Sequence, residues 1–228
     1  MVVSVIGGTG PQGLGIAKRL AIAGVDVIVG SRKEEKALKI VNETKEELKD
    51  YDIASMEGMA NEDAAKAGDI IIMTVPLVAQ APTLKTIKEF VKGKVFLDAT
   101  VPLETALGGS VKRSIGLCEG SAAERTQALL EGTGAKVVCA FNNISNSQLL
   151  NIPEEIDCDC LIAGDDKEAK EIASDLINKI PGVKAIDCGP LERARQIQEI
   201  TPLLIALNIK YKSHFGGIRI TGIDFDKN

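Results

Sequence analysis

The first twenty-odd residues restrict the fold more than any other stretch of the chain. "VVSVIG" (2–7) is an apolar, β-branched run that reads as a strand. "GGTGPQG" (7–13) follows at once and reads as a glycine-rich turn. Residues 11–23 then place Leu14, Ala17, Leu20 and Ala21 on one face of a helix. In that strand–turn–helix setting, Gly8-x-Gly10-x-x-Gly13 reads as a dinucleotide-binding turn; without the setting the motif would be weak. Gly8 is expected to permit the tight turn, Gly10 to let the backbone approach a pyrophosphate, and Gly13 to let the helix pack on the strand. The helix start adds free amides and the positive end of its dipole, and Thr9 adds a hydroxyl.

Comparable apolar runs recur at 25–30, 69–76, 94–102, 136–141, 159–164 and 183–189. They are near-continuous rather than alternating, as a parallel sheet covered on both faces requires. Helical patterns lie between them. One spans 33–49, with Ala37, Ile40, Val41, Thr44 and Leu48 at helical spacing. A short one spans 61–68 with Asn61 as its expected N-cap. Another is marked by Leu84, Ile87 and Val91, and one over 121–132 opens with a Ser-x-x-Glu capping box. The last of this series runs from Ala169 to Ile180. The alternation predicts an α/β fold: a Rossmann-type, doubly wound, mostly parallel sheet with a small C-terminal α/β domain. The pattern shortens near residue 145, so 1–145 is expected to be the dinucleotide-binding Rossmann domain and 146–228 the C-terminal domain. In 192–209, Ile197, Ile200, Leu204 and Leu207 line one helix face while Leu203 and Ile205 make another side apolar. Either a subunit interface or burial in one core accounts for that pattern. Pro202 is expected to kink this helix or mark its start.

Bulk properties exclude several function classes. Hydrophobic residues make up 45%, enough for a packed core. The net charge of −5 and the lack of a broad basic face argue against nucleic acid, as do 3% aromatics and no Trp. No apolar run approaches the roughly 20 residues that span a bilayer. The chain runs straight into a strand with no signal peptide, so a cytoplasmic location is expected. None of the five cysteines forms a CxxC pair, and Cys139, Cys160 and Cys188 sit in strand-like runs as buried small hydrophobes. With His214 the only histidine, no metal site is expected, and that residue could be a surface residue or a catalytic one.

The bound dinucleotide is read at the end of the second strand. An NAD site wants an acid there for the ribose 2′-hydroxyl. This chain has "GSRKEEK" (30–36) instead, where Ser31 and Arg32 replace the acid and Lys33 and Lys36 stand behind. A hydroxyl and a guanidinium suit a 2′-phosphate, so NADP is expected; a solvated start to a charged helix is the plainer alternative. Three other strand ends look adapted: Thr-Val-Pro at 74–76, Thr-Val-Pro at 100–102, and "FNNIS" at 141–145. Pro76 and Pro102 stop their strands beside the expected nicotinamide position. Asn142 and Asn143 either hydrogen-bond a ring or carboxamide or are ordinary turn residues. No Tyr-x-x-x-Lys pair is present at Tyr51 or Tyr211, and no other dyad is placed for proton transfer.

Several stretches together resemble one family: "GGTGPQGLG" (7–15), "VGSRKEEKA" (29–37), "NEDAAKAGDIIIMTVP" (61–76), "GDDKEAK" (164–170), "CGPLERAR" (188–195), "ITPLL" (200–204) and "GGIRI" (216–220). The chain resembles the NADP-dependent oxidoreductases of the 5-deazaflavin coenzyme F420. The resemblance implies a Rossmann domain, a homodimer or higher homo-oligomer, and hydride exchange between reduced F420 and NADP⁺. By position it implies that Thr9, Gly10, Pro11 and Gln12 meet the pyrophosphate, and that Ser31, Arg32 and Lys36 hold the 2′-phosphate. It further implies that Val75, Leu77 and Val101 border the nicotinamide, with Asn142, Asn146, Gly217 and Ile218 near the deazaflavin. Some members carry His where this chain has Asn142, and a bulky aromatic where it has Leu77. Lys112 and Arg113 either meet the anionic deazaflavin tail or belong to a solvated loop. No side-chain acid or base is assigned, since two rings that exchange hydride need mainly to be stacked. The competing readings are an NADPH-dependent reductase of another acceptor (flavin, ferric ion or imine) and a non-enzymatic NADP-sensing domain.

Overall fold

A computed structural model describes residues 1–224; residues 225–228, the end of the expected C-terminal segment, lie outside the described residues. The strands are β1 (Val2–Ile6), β2 (Asp26–Ser31), β3 (Met56–Ala60), β4 (Ile70–Met73), β5 (Val95–Asp98), β6 (Lys136–Cys139), β7 (Cys158–Gly164) and β8 (Val183–Asp187). They form one eight-stranded sheet in the order β3-β2-β1-β4-β5-β6-β7-β8. All neighbours from β3 to β6 are parallel. β7 joins β6 antiparallel, and β8 runs parallel to β7. The first six strands thus have the 3-2-1-4-5-6 order of dinucleotide-binding sheets, whose ligand crevice opens where the order reverses, between β1 and β4. The segment after residue 145 continues the same sheet.

The helices are α1 (Pro11–Ile22), α2 (Glu34–Glu47), α3 (Asn61–Ala67), α4 (Leu77–Ile87), α5 (Ala122–Leu129), α6 (Asn146–Leu150), α7 (Lys167–Ile177) and α8 (Ala194–Tyr211). Both sheet faces are covered. Val3 and Val5 of β1 pack in a core with Ile16, Leu20, Val41, Leu149 and Leu176 from α1, α2, α6 and α7. Ile6 packs in the opposite core with Ala64, Leu84, Ala123 and Ile197 from α3, α4, α5 and α8. This two-sided burial is why the strands lack polar alternation. Among the described residues, no helix is long and apolar enough to cross a membrane.

The structure sharpens the local picture at four places. β3 escapes the apolar-run reading because "MEGMA" carries Glu57 and Gly58. Gly58 belongs there because a Cβ would lie 2.6 Å from the Ala37 carbonyl carbon, so glycine lets α2 close onto the edge strand. Asn61 is the first residue of α3, behind Ala60 at the N-cap position, and its side chain is used elsewhere. Pro202 sits inside α8 rather than at its start, buried with Ile197 and Leu204. Burial of that face offsets the roughly 3 kcal/mol cost of an interior proline. The Ser121 cap forms, with Oγ accepting from the Glu124 amide at 3.1 Å, but the Glu124 carboxylate turns to Arg195 at 2.6 Å.

Candidate functional site

The glycine turn is held on all sides. Gly7 takes the left-handed conformation (φ 74°), which turns the chain out of β1. Its N–H donates to Asn61 Oδ1 at 3.2 Å, the use to which that side chain is put. Gly8 serves a close approach rather than the sharp turn: its N–H donates to Val5 O and Gly30 O, and a Cβ would lie 2.7 Å from Val5 O. Gly13 packs α1 against the turn, since a Cβ would lie 2.7 Å from Gly8 Cα and collide with Thr74 Oγ1. Gly10 differs. The nearest atom to a Cβ there is Gly7 O at 3.7 Å, so the protein itself does not need glycine at this position. Pro11 at the first helical position has no N–H, and no side chain caps the helix. The Gln12 and Gly13 amides therefore face outward without intrahelical acceptors, the arrangement that binds phosphate.

At the end of β2, Ser31 is buried and Arg32 and Lys36 are exposed at the start of α2. The Ser31 Oγ accepts from the Lys33 amide at 3.4 Å. Among the described residues, neither Arg32 nor Lys36 has an ion-pair partner. Two free cations beside a hydroxyl thus stand where an acid would mark a ribose-diol site.

On the other side of the turn, the C-terminal ends of β4, β5 and β6 open into a cleft of about 510 Å³. Its walls bring together Gln12, Val75, Pro76, Leu77, Val101, Asn142 and Asn146 of the sequence-derived residues. They also include Thr74 and Phe141, from the strand ends marked by Thr-Val-Pro and FNNIS, Ile205 from the apolar side of α8, and Thr201 and Asn208, whose part in the cleft no local pattern announces. None of the cleft-lining residues carries an ionisable side chain. Pro102 faces a separate hollow beside Arg195. Gly217 and Ile218 lie in another, beside Gln148 and Arg219, and Ile218 O accepts from the Asp159 amide at 2.8 Å. Gly216 is the tail residue that reaches the cleft, tied by its N–H to Asn208 Oδ1 at 2.9 Å. Lys112 and Arg113 sit exposed on the hairpin 103–114, whose Leu103, Thr105 and Ala106 form one cleft wall. His214 is exposed, and its carbonyl accepts from Ser145 Oγ.

The turn after β6 is the most constrained part of the cleft. Phe141 is fully buried yet has φ 64°, a left-handed conformation that costs a bulky residue roughly 1–3 kcal/mol. The amide groups of the next two residues are occupied within the protein. Asn142 donates to Thr100 O at 3.0 Å and accepts from Cys139 Sγ at 3.0 Å. Asn143 donates to Asp159 O at 2.6 Å and accepts from the Leu161 amide at 3.1 Å. These side chains pin the turn to β5, β6 and β7. Behind the cleft, Asp98 is wholly buried and accepts from the Thr100 amide, Thr126 Oγ1 and Gln80 Nε2. Burial pushes its carboxyl above the ordinary range despite those donors. Burial also raises the Cys139 thiol well above normal and the Cys160 thiol to about 12, so both stay protonated. Among the described residues, no cluster of His, Cys, Asp and Glu is arranged to hold a metal.

Comparison with known proteins places the chain among relatives of one kind. The family described as NADP oxidoreductase coenzyme F420-dependent matches residues 2–102. The chain is 53% identical to the F420-dependent NADP reductase of Methanothermobacter marburgensis, over 98% of this chain and 99% of that one. It is 47% identical to that of Methanocaldococcus jannaschii, over 98% and 100%. A crystal structure of a candidate F420-dependent NADP-reductase from Arthrobacter sp. FB24 superposes with a TM-score of 0.80 at 22% identity, over 96% and 99% of the two chains. That last likeness speaks to the fold.

Proposed function

The chain belongs to the family of F420-dependent NADP reductases, and on that premise we infer that it transfers a hydride reversibly between the reduced deazaflavin coenzyme F420 and NADP⁺. The observation that carries this reading is the cleft at the strand ends, contiguous with the glycine turn and lined without an ionisable side chain. Hydride exchange between two rings asks no acid or base of the protein. It asks for two ring surfaces held about 3–3.5 Å apart with water kept out. Val75, Leu77, Val101 and Ile205 supply apolar walls for that purpose.

The residue roles follow from the same reading. The outward amides of Gln12 and Gly13, with Thr9 and the open face at Gly10, receive the pyrophosphate. Ser31, Arg32 and Lys36 receive the 2′-phosphate. Val75, Leu77 and Val101 border the nicotinamide. The second ring lies toward Asn146, Asn208 and Gly216, with the exposed Lys112 and Arg113 on the hairpin rim available to its anionic tail. The bound coenzymes supply the hydride chemistry; the chain supplies orientation and a neutral, low-dielectric enclosure. Residues 1–145 hold the NADP side and the later residues complete the deazaflavin side. The protein assembles as a homodimer or larger homo-oligomer through the outer face of α8, where Leu203 is 57% and Ile209 55% exposed. It works in the cytoplasm, where its five free thiols persist.

The test is spectrophotometric: protein, NADPH and oxidised F420 are mixed and the deazaflavin absorbance is followed. Loss of the oxidised deazaflavin band is expected. Turnover with FMN and none with F420 would replace this reading with a flavin reductase.

A further inference from the structure

The cleft has two halves, and few polar contacts join them. One half is the dinucleotide turn with the ends of β4 and β5. The other is the 141–146 turn, built around the left-handed Phe141. Gln12 stands between them. Its Nε2 donates to Phe141 O at 3.0 Å and to Ile144 O at 3.3 Å, across 129 and 132 residues of sequence. Its backbone amide faces outward from the start of α1, while its side chain runs to the other turn. The turn is also held by Thr100, just past the end of β5, through Asn142, by β7 through Asn143, and by Thr201 Oγ1, which donates to Asn142 O at 2.7 Å.

We propose that Gln12 is a positioning residue for hydride transfer, its side-chain amide fixing the 141–144 turn at a set distance from the dinucleotide turn. The proposal rests on the hydride-transfer reading above. Because the cleft offers no acid or base, its contribution to rate is geometric. The ring separation is then governed by whatever sets one half against the other. Phe141 N–H is held by Cys160 Sγ at 3.3 Å, whereas its carbonyl is held by Gln12. Without that donor, the carbonyl side of a strained residue has one constraint fewer, and the turn relaxes away from the geometry it now holds.

Two variants test this on the full chain. Gln12→Leu keeps the bulk and removes the donor. The NADP⁺ dissociation constant by calorimetry should stay within about threefold, because the backbone amides remain. At saturation of both substrates, kcat should fall about tenfold, since small displacements of reacting atoms cost rate steeply. The isotope effect with NADPH deuterated at the transferred position should rise. Gln12→Glu sets a carboxylate against two carbonyl oxygens and should be as slow at pH 8. Relative to wild type it should recover as the pH falls and its protonated carboxyl donates again, a recovery Gln12→Leu lacks. A residue that served folding alone would lower melting temperature and active fraction without that pH-dependent rescue. Wild-type kcat in Gln12→Leu would overturn the proposal. So would a loss confined to the NADP⁺ dissociation constant, which would make the side chain a phosphate ligand. If Gln12→Leu does not fold, the Gln12→Glu titration decides. Failure of the unmodified protein to reduce F420 would sink the functional reading itself, before any variant is made.

Discussion

Arg19 offers the sharpest test of how the cleft is held. It lies on the inner side of α1, 4% exposed, and among the described residues it has no carboxylate partner. Its guanidinium donates instead to main-chain carbonyls at the end of α6: Asn151 O at 2.6 Å, Gln148 O at 2.8 Å, Leu149 O at 3.0 Å and Ile152 O at 3.4 Å. A five-residue helix has no stability of its own, and its last carbonyls lack intrahelical donors. Gly15 lets α6 come close, since a Cβ there would lie 3.3 Å from the Leu149 carbonyl carbon. Burial pulls the guanidinium below its ordinary value, the cost of desolvating it. Three contacts of good length, at about 1.5 kcal/mol each for a charged donor, give a gross effect of about 4.5 kcal/mol. Desolvating the guanidinium, a cost the neutral methionine escapes, offsets about 1.5 kcal/mol of this. Arg19→Met should therefore destabilise by about 3 kcal/mol, a fall in Tm of roughly 6–12 °C for a chain of this size. Urea unfolding at constant m-value measures it. Arg19→Lys, whose point charge cannot span four carbonyls, should lie between the two. A loss below about 1 kcal/mol, or a lysine variant equal to wild type, would show that α6 is held by apolar packing alone.

The other predictions concern the dinucleotide and the buried acid. Arg32→Ala should weaken NADP(H) by about 2 kcal/mol, near thirtyfold, and leave NAD(H) almost unchanged; equal losses in calorimetry would remove the 2′-phosphate assignment. Gly10→Ala should keep its melting temperature but lose dinucleotide affinity, because the nearest protein atom to its Cβ is Gly7 O at an unstrained 3.7 Å. Gly13→Ala should lose about 1–3 kcal/mol of stability from overpacking against Gly8 and Thr74. The same result at both positions would mean the turn is purely structural. Asp98 has its folded pKa raised by burial, so the native state holds the proton more tightly than the unfolded chain. The stability that proton supplies is complete below about pH 4, the unfolded value, and is lost as pH rises through the raised folded value. Asp98→Asn should flatten this decline in denaturant titrations above pH 4, and an unaltered slope would show that Asp98 ionises freely in the fold.

The two halves of the cleft were unequally legible in the sequence, for a physical reason. The residues we assign to the dinucleotide come from short contiguous stretches: the turn 8–13 and Ser31–Lys36 each sit on one strand end, so local pattern suffices to read them. The alternation of apolar runs and helices was legible for the same reason. β3 was not, because an edge strand under a helix tolerates Glu57 and needs Gly58, which erases its apolar signature. The reversal of direction at β7 was not, because the 140–157 connection carries no length or composition that distinguishes a return from a crossover.

The far half of the cleft is made by pairs that sequence spacing cannot bring together. Gln12 meets Phe141, Thr201 meets Asn142, and Asn208 meets Gly216. A phenylalanine with positive φ leaves no trace in a string where glycine marks that conformation at most other positions. The asparagines at 142 and 143 show the limit most clearly. Their residue type suggested polar contacts to a ligand, yet their amides hold the backbone that shapes the cleft. The dinucleotide contacts we propose can thus be written in local sequence, because they gather at one turn and one strand end. The far half of the cleft, where we propose the second ring lies, is built by long-range tertiary contacts, which no local pattern in the sequence records.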